Sequence, residues 1–277
     1  MATDAPHVDE WDRTGSSVDS FLGGRVYLVQ PRKGFRCGSD AIVLASLLPK
    51  SLTGALVDLG AGPGGVGFAA AARCPGLSVW CVDRDCDALA HARASLTLVE
   101  NAGFASRVTV VEGDVADPPA HWSVTVPRAT AVLMNPPYFA ADACRHSPDA
   151  ARDKARALGA DGLAPWLLAA RRVLCHGGLL GVIAPASRLG ELVGLAGFGA
   201  TKVFPIHSHA GEPALRVVVA TRLGRRAALR VMPALVMHDG DGRFSRGAAH
   251  ILAGEATLEE AVRCHPPKTH PWGIEAL

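Results

Sequence analysis

Short apolar segments alternate with helix-forming segments over most of the chain, and this alternation limits the possible folds more than any other feature. Runs such as LVDL (56–59), SVWCVD (78–83) and TAVLM (130–134) are separated by segments with helical spacing, and a further helical segment with Ser39 as a candidate N-cap precedes them. Such an alternation predicts a parallel sheet covered by helices on both faces. The predicted strands are 56–59, 78–83, 108–114, 130–134, 178–185, 201–206 and 215–223, and the predicted helices are 39–48, 66–73, 86–100, 162–174 and 187–196.

The last two predicted strands differ from the others because no helix separates them. Only the turn-like segment HSHAGEPA lies between 201–206 and 215–223. Strands joined by so short a connection pair antiparallel. We therefore predict an α/β, Rossmann-like fold with a mostly parallel seven-stranded sheet and an antiparallel edge strand. The predicted units are a mobile leader (1–20), an N-terminal strand and helix cap (21–54), the core (55–226), a strand–turn–helix addition (227–262) and an irregular tail (263–277).

Composition and charge exclude several classes of protein. Hydrophobic residues make up 49% and charged residues 19% of the 277 residues, a balance typical of a globular chain and not of a disordered one. No apolar run approaches the roughly 18 residues of a membrane helix, and the N-terminal segment is polar and acidic, so we expect a cytoplasmic protein without a membrane partner. The charge balance of 28 − 26 = +2 excludes a heavily cationic binder.

Cysteines and histidines form no recognisable metal-binding motif. The seven cysteines contain no Cys-x-x-Cys pair, which favours free thiols in a reducing compartment. His207 and His209 flank Ser208 in a predicted turn, without a third ligand nearby in the sequence. We therefore expect no metal site. Nothing in the sequence demands an obligate protein partner, so we expect a monomer.

A glycine-rich loop follows the first predicted strand of the core. In VDLGAGPGGVG (57–67), Gly60, Gly62 and Gly65 match the pattern G-x-G-x-x-G. Glycines at this point let the backbone approach a ligand closely, and Asp83 at the end of the next strand is placed to bind both hydroxyls of a ribose. Nicotinamide dinucleotides and S-adenosylmethionine are both bound in this way, so the loop alone leaves an oxidoreductase and a methyltransferase open.

Two further carboxylates favour S-adenosylmethionine. Asp58 lies two residues before the first glycine of the loop, where a carboxylate suits the ammonium group of S-adenosylmethionine and would repel a pyrophosphate. Asp114 follows the third strand, where it can accept a hydrogen bond from the adenine amine. Acids at the ends of three successive strands therefore predict a site for S-adenosylmethionine.

The tetrapeptide Asn135-Pro136-Pro137-Tyr138 follows the fourth strand of the core directly. Ligands of an open parallel sheet bind beyond the carboxyl ends of the strands, so the tetrapeptide points into the same crevice as the glycine loop. The two prolines fix the backbone. The Asn135 side-chain carbonyl and the Pro136 main-chain carbonyl can accept both hydrogens of a planar exocyclic amine, and Tyr138 offers a flat face for stacking on a base.

These motifs together resemble the class I S-adenosylmethionine-dependent methyltransferases that modify exocyclic or amide nitrogens. The segments GFRCGSDAIVLASL (34–47) and LVMHDGDGRFSRGAAHI (235–251) are similar to the flanks of one subgroup, the bacterial valine-tRNA adenine-N6 methyltransferases. The resemblance implies a class I methyltransferase fold and methyl transfer to adenine N6 in RNA, most closely in tRNA near the anticodon. It implies that S-adenosylmethionine is bound by Asp40, Asp58, Gly60, Gly62, Gly64, Asp83, Asp114 and Asn135.

One departure from that subgroup lies beside the implied cofactor residues. Cys37 and Ser39 stand where the subgroup more often has another small residue and Thr, whereas Asp40 is retained. The implied catalytic residues are Asn135, Pro136, Pro137 and Tyr138.

Local groups of basic residues are the candidate contacts to RNA phosphates, because Arg forms planar, forked contacts with phosphate. Arg32, Lys33, Arg36 and Arg145 are the first candidates. Further candidates are Arg152, Lys154 and Arg156 after the tetrapeptide, and Arg222, Arg225, Arg226 and Arg230 after the last core strand.

Other functions stay open at the level of sequence. The same chemistry could act on rRNA, DNA or a protein glutamine, and the glycine loop also fits a nicotinamide-dependent oxidoreductase. A non-catalytic RNA-binding protein is disfavoured because Asn135 and Tyr138 are both present.

Overall fold

A nine-stranded mixed sheet forms the centre of the described part of the protein. In the computed structural model its strands are β3 (Gly54–Leu59), β4 (Leu77–Asp83), β5 (Val108–Glu112), β6 (Ala129–Met134), β7 (Leu174–Pro185), β8 (Phe198–His209), β9 (Arg216–Leu223), β10 (Arg230–Val231) and β11 (Leu235–His238). They run in the order β5-β4-β3-β6-β7-β9-β8, with β10 and β11 both paired to the outer edge of β8. The structure describes residues 15–33, 36–117, 119–122, 124–137 and 162–263.

All strand pairs except those of β9 are parallel in this sheet. The Rossmann-like architecture predicted from the alternation of strands and helices is therefore confirmed. The predicted strand count was too low, because the segment after the core adds β10 and β11 to β8 as two short parallel strands.

The predicted position of the antiparallel strand is wrong. β9 does pair antiparallel with β8, but it also pairs antiparallel with β7, so it lies inside the sheet and not at its edge. β9 is suited to an internal position because Val217 to Thr221 are all buried, and a strand buried on both faces reads as a continuous apolar run.

Helices cover both faces of the sheet. On one face α1 and α2 pack with the two C-terminal helices and bury Ile42, Leu44 and Phe68, while on the other face α5 buries Trp166. The helices are α1 (Ser39–Ala45), α2 (Gly65–Arg73), α3 (Cys86–Leu96), α4 (Ala102–Ala105), α5 (Ala164–Val173), α6 (Leu189–Leu192), α7 (Arg246–Leu252) and α8 (Leu258–Arg263). No helix within the described ranges is long and apolar enough to cross a membrane.

The start of α1 differs slightly from the prediction. Gly38, with an extended backbone, is the N-cap residue, and Ser39 is the first residue of the helix and gives no side-chain capping bond. Glycine is an acceptable N-cap residue, and the helix therefore starts one residue earlier than a Ser39 N-cap would imply.

An antiparallel hairpin stands apart from the main sheet at the N-terminal side. It is formed by β1 (Ser16–Phe21) and β2 (Val26–Pro31), so ordered structure begins inside the segment predicted as a leader. Asn101 holds the hairpin, because its side chain accepts from the Tyr27 amide at 3.0 Å and donates to the Tyr27 carbonyl at 2.7 Å. The hairpin therefore docks on the turn that follows α3.

Candidate active site

The strand register places the ends of β3, β4, β5 and β6 side by side. Leu59 at the end of β3 pairs with Met134 of β6 and with Val82 of β4, and the next residue of β4, Asp83, pairs with Glu112 of β5. Neighbouring strands of a sheet lie about 4.8 Å apart. The glycine loop after β3, Asn135 after β6 and Asp114 beyond β5 therefore start from one edge of the sheet.

The glycine loop turns sharply over the end of β4. Gly60, Gly62 and Gly64 have φ values of 71°, 54° and 97°, which a side chain rarely tolerates. The Gly60 amide donates to the Val82 carbonyl at 2.8 Å, and the Gly62 amide donates to Asp83 Oδ2 at 2.8 Å. The strand-end carboxylate thus fixes the loop that precedes α2.

The third glycine of the literal sequence pattern has a different role from the other two. Gly65 begins α2, and it is Gly64 that takes the left-handed conformation. A β-carbon at Gly65 would collide with the Cys37 sulfur, so this glycine is required for close packing and not for backbone geometry. Burial beside Asp58, Asp40 and Asp19 raises the pKa of the Cys37 thiol to about 12, so the thiol stays protonated at neutral pH.

Asp58 is completely buried beneath the loop. Its Oδ2 accepts a hydrogen bond from the Gly67 amide at 2.8 Å, whereas its Oδ1 has no partner among the described residues. Burial raises the pKa of Asp58 to about 7; the Gly67 hydrogen bond acts in the opposite direction, and the charge of Asp83 adds to the rise. A buried carboxylate with an unsatisfied oxygen is a site for a cation or a hydrogen-bond donor.

Asp83 and Asp114 lie at a polar cleft beyond β4 and β5. Burial raises the pKa of Asp83, whose Oδ1 accepts from the Asp85 amide at 2.9 Å. Asp114 forms an ion pair with Arg84 at 3.2 Å and accepts from the Ala116 amide at 2.9 Å. The cleft is lined by Arg84, Glu112, Gly113, Asp114, Asp117 and His121.

Two tryptophans that the sequence analysis missed support the glycines of the site. A β-carbon at Gly60 would collide with the ring of Trp166, and one at Gly113 would lie 2.5 Å from the ring of Trp122. Trp122 also donates its Nε1 hydrogen to the Asp114 carbonyl at 2.9 Å. Both rings are 6% exposed, so they form buried packing surfaces behind the loop and the cleft. The sequence does not indicate this packing, because the tryptophans are distant in sequence from the glycines they contact.

Asp40 lies in the first turn of α1 and pairs with Arg216 at the start of β9. Burial raises the pKa of Asp40, although the neighbouring Arg216 charge and hydrogen bond act to lower it. Arg216 was not among the residues singled out from the sequence. Its position is explained by the internal placement of β9, which brings the first residue of that strand opposite Pro185, the last residue of β7.

Asn135 and Pro136 directly follow β6, as predicted. Asn135 is half-buried and Pro136 is buried, and both follow the residue of β6 that pairs with the end of β3. Pro137 is half-buried. Tyr138 and Arg145 lie outside the described residues, as do Arg152, Lys154 and Arg156.

The candidate RNA-binding residues fall into separate places in the structure. Arg32 and Lys33 are exposed after β2, whereas Arg36 forms an ion pair with Asp19 and donates to the Pro31 carbonyl at 2.8 Å. The ion pair with Asp19, a residue of the segment predicted as a leader, already offsets the charge of Arg36.

The second basic group lies away from the strand ends. Arg222 is six positions beyond the first residue of the antiparallel strand β9, and this places it about 20 Å toward the opposite edge of the sheet. Its side chain donates to the Gly177 carbonyl at 2.9 Å. Arg222, a candidate phosphate contact, therefore lies far from the strand ends that form the candidate active site.

The chain is similar to proteins described as methyltransferases. The family model described as the methyltransferase small domain matches residues 34–162. A solved Agrobacterium tumefaciens structure, described as a predicted O-methyltransferase, is 30% identical; the alignment covers 79% of this chain and 97% of that chain with a TM-score of 0.66. The chain belongs to the methyltransferases.

Two further proteins are similar to this methyltransferase. A Musicola paradisiaca protein named tRNA1(Val) (adenine(37)-N6)-methyltransferase is 29% identical over 82% of this chain and 85% of its own length. A Listeria monocytogenes structure named as a class I S-adenosylmethionine-dependent methyltransferase shares the fold at 13% identity, with a TM-score of 0.52, and the alignment covers 83% of this chain and 74% of that chain.

S-adenosylmethionine is the cofactor of this methyltransferase, and the residues at the strand ends fit it chemically. The unsatisfied Oδ1 of Asp58 suits its ammonium group, and the carboxylate of Asp83 suits its ribose hydroxyls. Burial raises the pKa of Asp58 and Asp83, and no basic side chain of the described residues lowers either value, whereas Asp40 pairs with Arg216. A pyrophosphate would worsen this balance, so the site disfavours a nicotinamide dinucleotide.

Proposed function

We propose that this methyltransferase transfers a methyl group to the N6 amine of an unpaired adenine in RNA, most specifically in tRNA. The observation that carries the proposal is the position of Asn135 and Pro136 at the end of β6. Strand pairing sets this position beside the end of β3, from which the glycine loop departs. The target amine and the methyl donor would therefore meet at one edge of the sheet.

Asn135 and Pro136 have the chemistry needed to hold an exocyclic amine. The Asn135 side-chain oxygen and the Pro136 carbonyl can each accept one amine hydrogen, and Pro136 and Pro137 limit the freedom of the backbone that presents them. Two acceptors favour a more pyramidal nitrogen, whose lone pair is then less delocalised into the ring. S-adenosylmethionine supplies an activated methyl group when bound, so positioning of the amine can provide much of the rate.

A nitrogen acceptor fits the tetrapeptide better than an oxygen acceptor. The Agrobacterium tumefaciens relative is described as a predicted O-methyltransferase, but a hydroxyl group has one hydrogen and would leave one of the two carbonyls without a donor. The name of the Musicola paradisiaca relative supports adenine N6 as the target.

RNA is the favoured substrate because an adenine must leave its stack before its amine can enter the crevice, and this is easiest in an RNA loop. Exposed Arg32 and Lys33 are proposed to contact phosphates, and binding would rest on such local groups because the net charge is only +2. Arg36 is proposed to support these residues from the hairpin through its bond to the Pro31 carbonyl. The cytoplasm is the expected place of action for a tRNA-modifying enzyme.

Separate incubations with tRNA, rRNA, DNA and protein test the proposal. The purified methyltransferase is given S-adenosylmethionine with a labelled methyl group, and the products are digested and identified by mass spectrometry. We expect label in N6-methyladenosine from the tRNA pool. Label in glutamine, in another nucleoside or in DNA alone would contradict the proposal.

The substitution Asn135→Ala tests the role of the tetrapeptide. Turnover at saturating cofactor is expected to fall at least about 100-fold, since a positioned hydrogen-bond acceptor at a reacting centre contributes on this scale. Tyr138→Ala is expected to weaken substrate use far more than stability, while Tyr138→Phe is tolerated because the ring is kept. Thermal unfolding of each variant checks the fold, and near-normal turnover of Asn135→Ala would contradict the assigned role.

A further inference from the structure

Three aromatic rings form a continuous stack at the end of β8 and β11. His209 is the last residue of β8, His238 is the last residue of β11, and Phe244 follows the loop after β11. The His209 and His238 ring centroids are 5.5 Å apart with the ring planes tilted by 36°, and the His238 and Phe244 rings are stacked, with centroids 5.1 Å apart and 24° between the planes. We call these three residues the aromatic stack.

The aromatic stack is held by backbone hydrogen bonds on each side. His238 is paired in register with His209 in the main sheet and forms an isolated bridge with Phe244. The loop between them is closed by the bonds Asp239 amide to Arg243 carbonyl at 2.8 Å and Ser245 amide to Met237 carbonyl at 2.9 Å. The rings therefore have fixed positions before any ligand arrives, which lowers the entropy cost of binding.

The central ring lies between the two other rings. The Nδ1 atom of His238 is buried and has no hydrogen-bond partner within the described residues, and the ring stacks on Phe244. Phe244 at one end of the stack is 49% exposed, which is unusual for a phenylalanine fixed in a hydrogen-bonded loop. The stack thus ends in an aromatic surface open to solvent.

The stack lies at the same edge of the sheet as the candidate active site. β6 is parallel to β7, and the path from β7 through β9 to β8 contains two antiparallel pairings, so β8 runs parallel to β6. The last residues of β8 extend beyond Ile206, which pairs with Arg216. Strand spacing and rise put the stack on the order of 20–25 Å from Asn135. One RNA hairpin can span that distance.

We propose that the aromatic stack is a second RNA contact, at which an unpaired base of the substrate stacks on Phe244. This inference rests on the proposed function, because it assumes an RNA substrate. Every base has a π-face, so a fixed aromatic ring binds an unpaired base without regard to sequence. Exposed Arg246 can contact an adjoining phosphate, and Arg243, which is 87% exposed and pairs with Asp241 at 3.5 Å, can exchange that partner for a phosphate.

The substitution Phe244→Leu tests this contact because it keeps an apolar side chain and removes the ring. The probe is a fluorescein-labelled RNA hairpin with an adenine in its loop, titrated with the full-length protein and followed by fluorescence anisotropy. We expect Kd for the hairpin to rise about 5- to 150-fold in the leucine variant and to return to near the wild-type value in Phe244→Trp. Kd for S-adenosylmethionine should not change in either variant.

Val231→Ala is the matched control. Val231 is 68% exposed and also lies on a short strand at the outer edge of β8, but it pairs with Val203, far from the three rings. Its loss should leave hairpin binding unchanged. A 2-aminopurine base placed at successive loop positions should lose fluorescence on binding at one position, and Phe244→Leu should restore that fluorescence.

The binding measurement needs no methyl transfer, so the two proposals can fail separately. Hairpin binding without methylation of any RNA overturns the proposed function alone. Equal hairpin affinity of wild type and Phe244→Leu overturns the second contact alone, and so does an equal loss in Val231→Ala. A wild-type protein that binds no RNA overturns both.

Discussion

The buried carboxylate of Asp58 makes the stability of the cofactor-free protein depend on pH. Its pKa is 3.8 in a solvated chain and about 7 in the folded protein, chiefly because of burial. Between these values the folded protein holds a proton that the unfolded chain has released, so stability falls as the pH rises. From pH 5 to pH 7 the free energy of unfolding should fall by about 2.3 kcal/mol through this group, because the slope of 1.36 kcal/mol per pH unit decreases as the pH approaches the folded-state pKa.

The variant Asp58→Asn isolates this contribution, because it removes the titrating group and keeps the size of the side chain. Asp40 and Asp83 also have raised pKa values, and their ionisation lowers the stability of the protein as the pH rises, but it does so equally in wild type and variant. Urea denaturation, followed through the fluorescence of buried Trp122 and Trp166, gives the free energy of unfolding at each pH. If the free energies of unfolding of wild type and variant differ by the same amount at every pH from 5 to 8, the assigned role of Asp58 is wrong.

The same carboxylate should link cofactor binding to pH. An ammonium group beside the unsatisfied Oδ1 favours the ionised form, so binding releases a proton and affinity rises with pH. For a pKa of about 7 the ionised fraction of Asp58 grows about eightfold from pH 6 to pH 7.5, and Kd for S-adenosylmethionine should fall by a similar factor. Calorimetric titration checks this, with Asp58→Asn expected to lack the dependence; a wild-type Kd independent of pH would exclude the contact.

Two other substitutions test the support of the site, both by urea denaturation. Gly60→Ala should lower the free energy of unfolding by about 2–4 kcal/mol, because φ is 71° and the new methyl group collides with Trp166. The control Gly103→Ala places its methyl group in open space in α4 and should be neutral or stabilising. Equal effects of the two substitutions would contradict the packing argument. Arg216→Ala should cost about 1–3 kcal/mol at pH 8 and less as the pH falls, because Asp40 without the Arg216 charge takes up a proton more readily; a loss that does not change with pH would contradict the ion pair as the cause.

The sequence predicts the strand-end part of the site because a parallel sheet brings the carboxyl ends of its strands to one edge. Asp58, Asp83 and Asn135 each follow or end a recognisable apolar run, and local pattern is enough to place them together. Which glycine of the loop takes the left-handed conformation depends on packing. Gly65 faces the sulfur of Cys37, a contact that no local pattern contains.

Long-range contacts explain what the sequence leaves out. Arg216 meets Asp40 across 176 positions, and Arg36 meets Asp19 in a segment whose polar composition reads as a leader. The order of β8 and β9 in the sheet also depends on long-range contacts. Adjacent strands are correctly expected to pair, but the local sequence does not state which of the two lies against β7.

The insertion of β9 between β7 and β8 has a consequence for how the chain is made. β7 can pair with β6 on one side, but its other edge has no partner and β8 cannot join the sheet until Arg216 to Leu223 have been synthesised, since β7 and β8 both pair with β9 and not with each other. A growing chain that has released β8 still exposes the unpaired, apolar edge of β7, the kind of edge that recruits strands from other chains. Protein truncated before Arg216 should accordingly aggregate, even though the glycine loop, the strand-end acids and the tetrapeptide are all present in it.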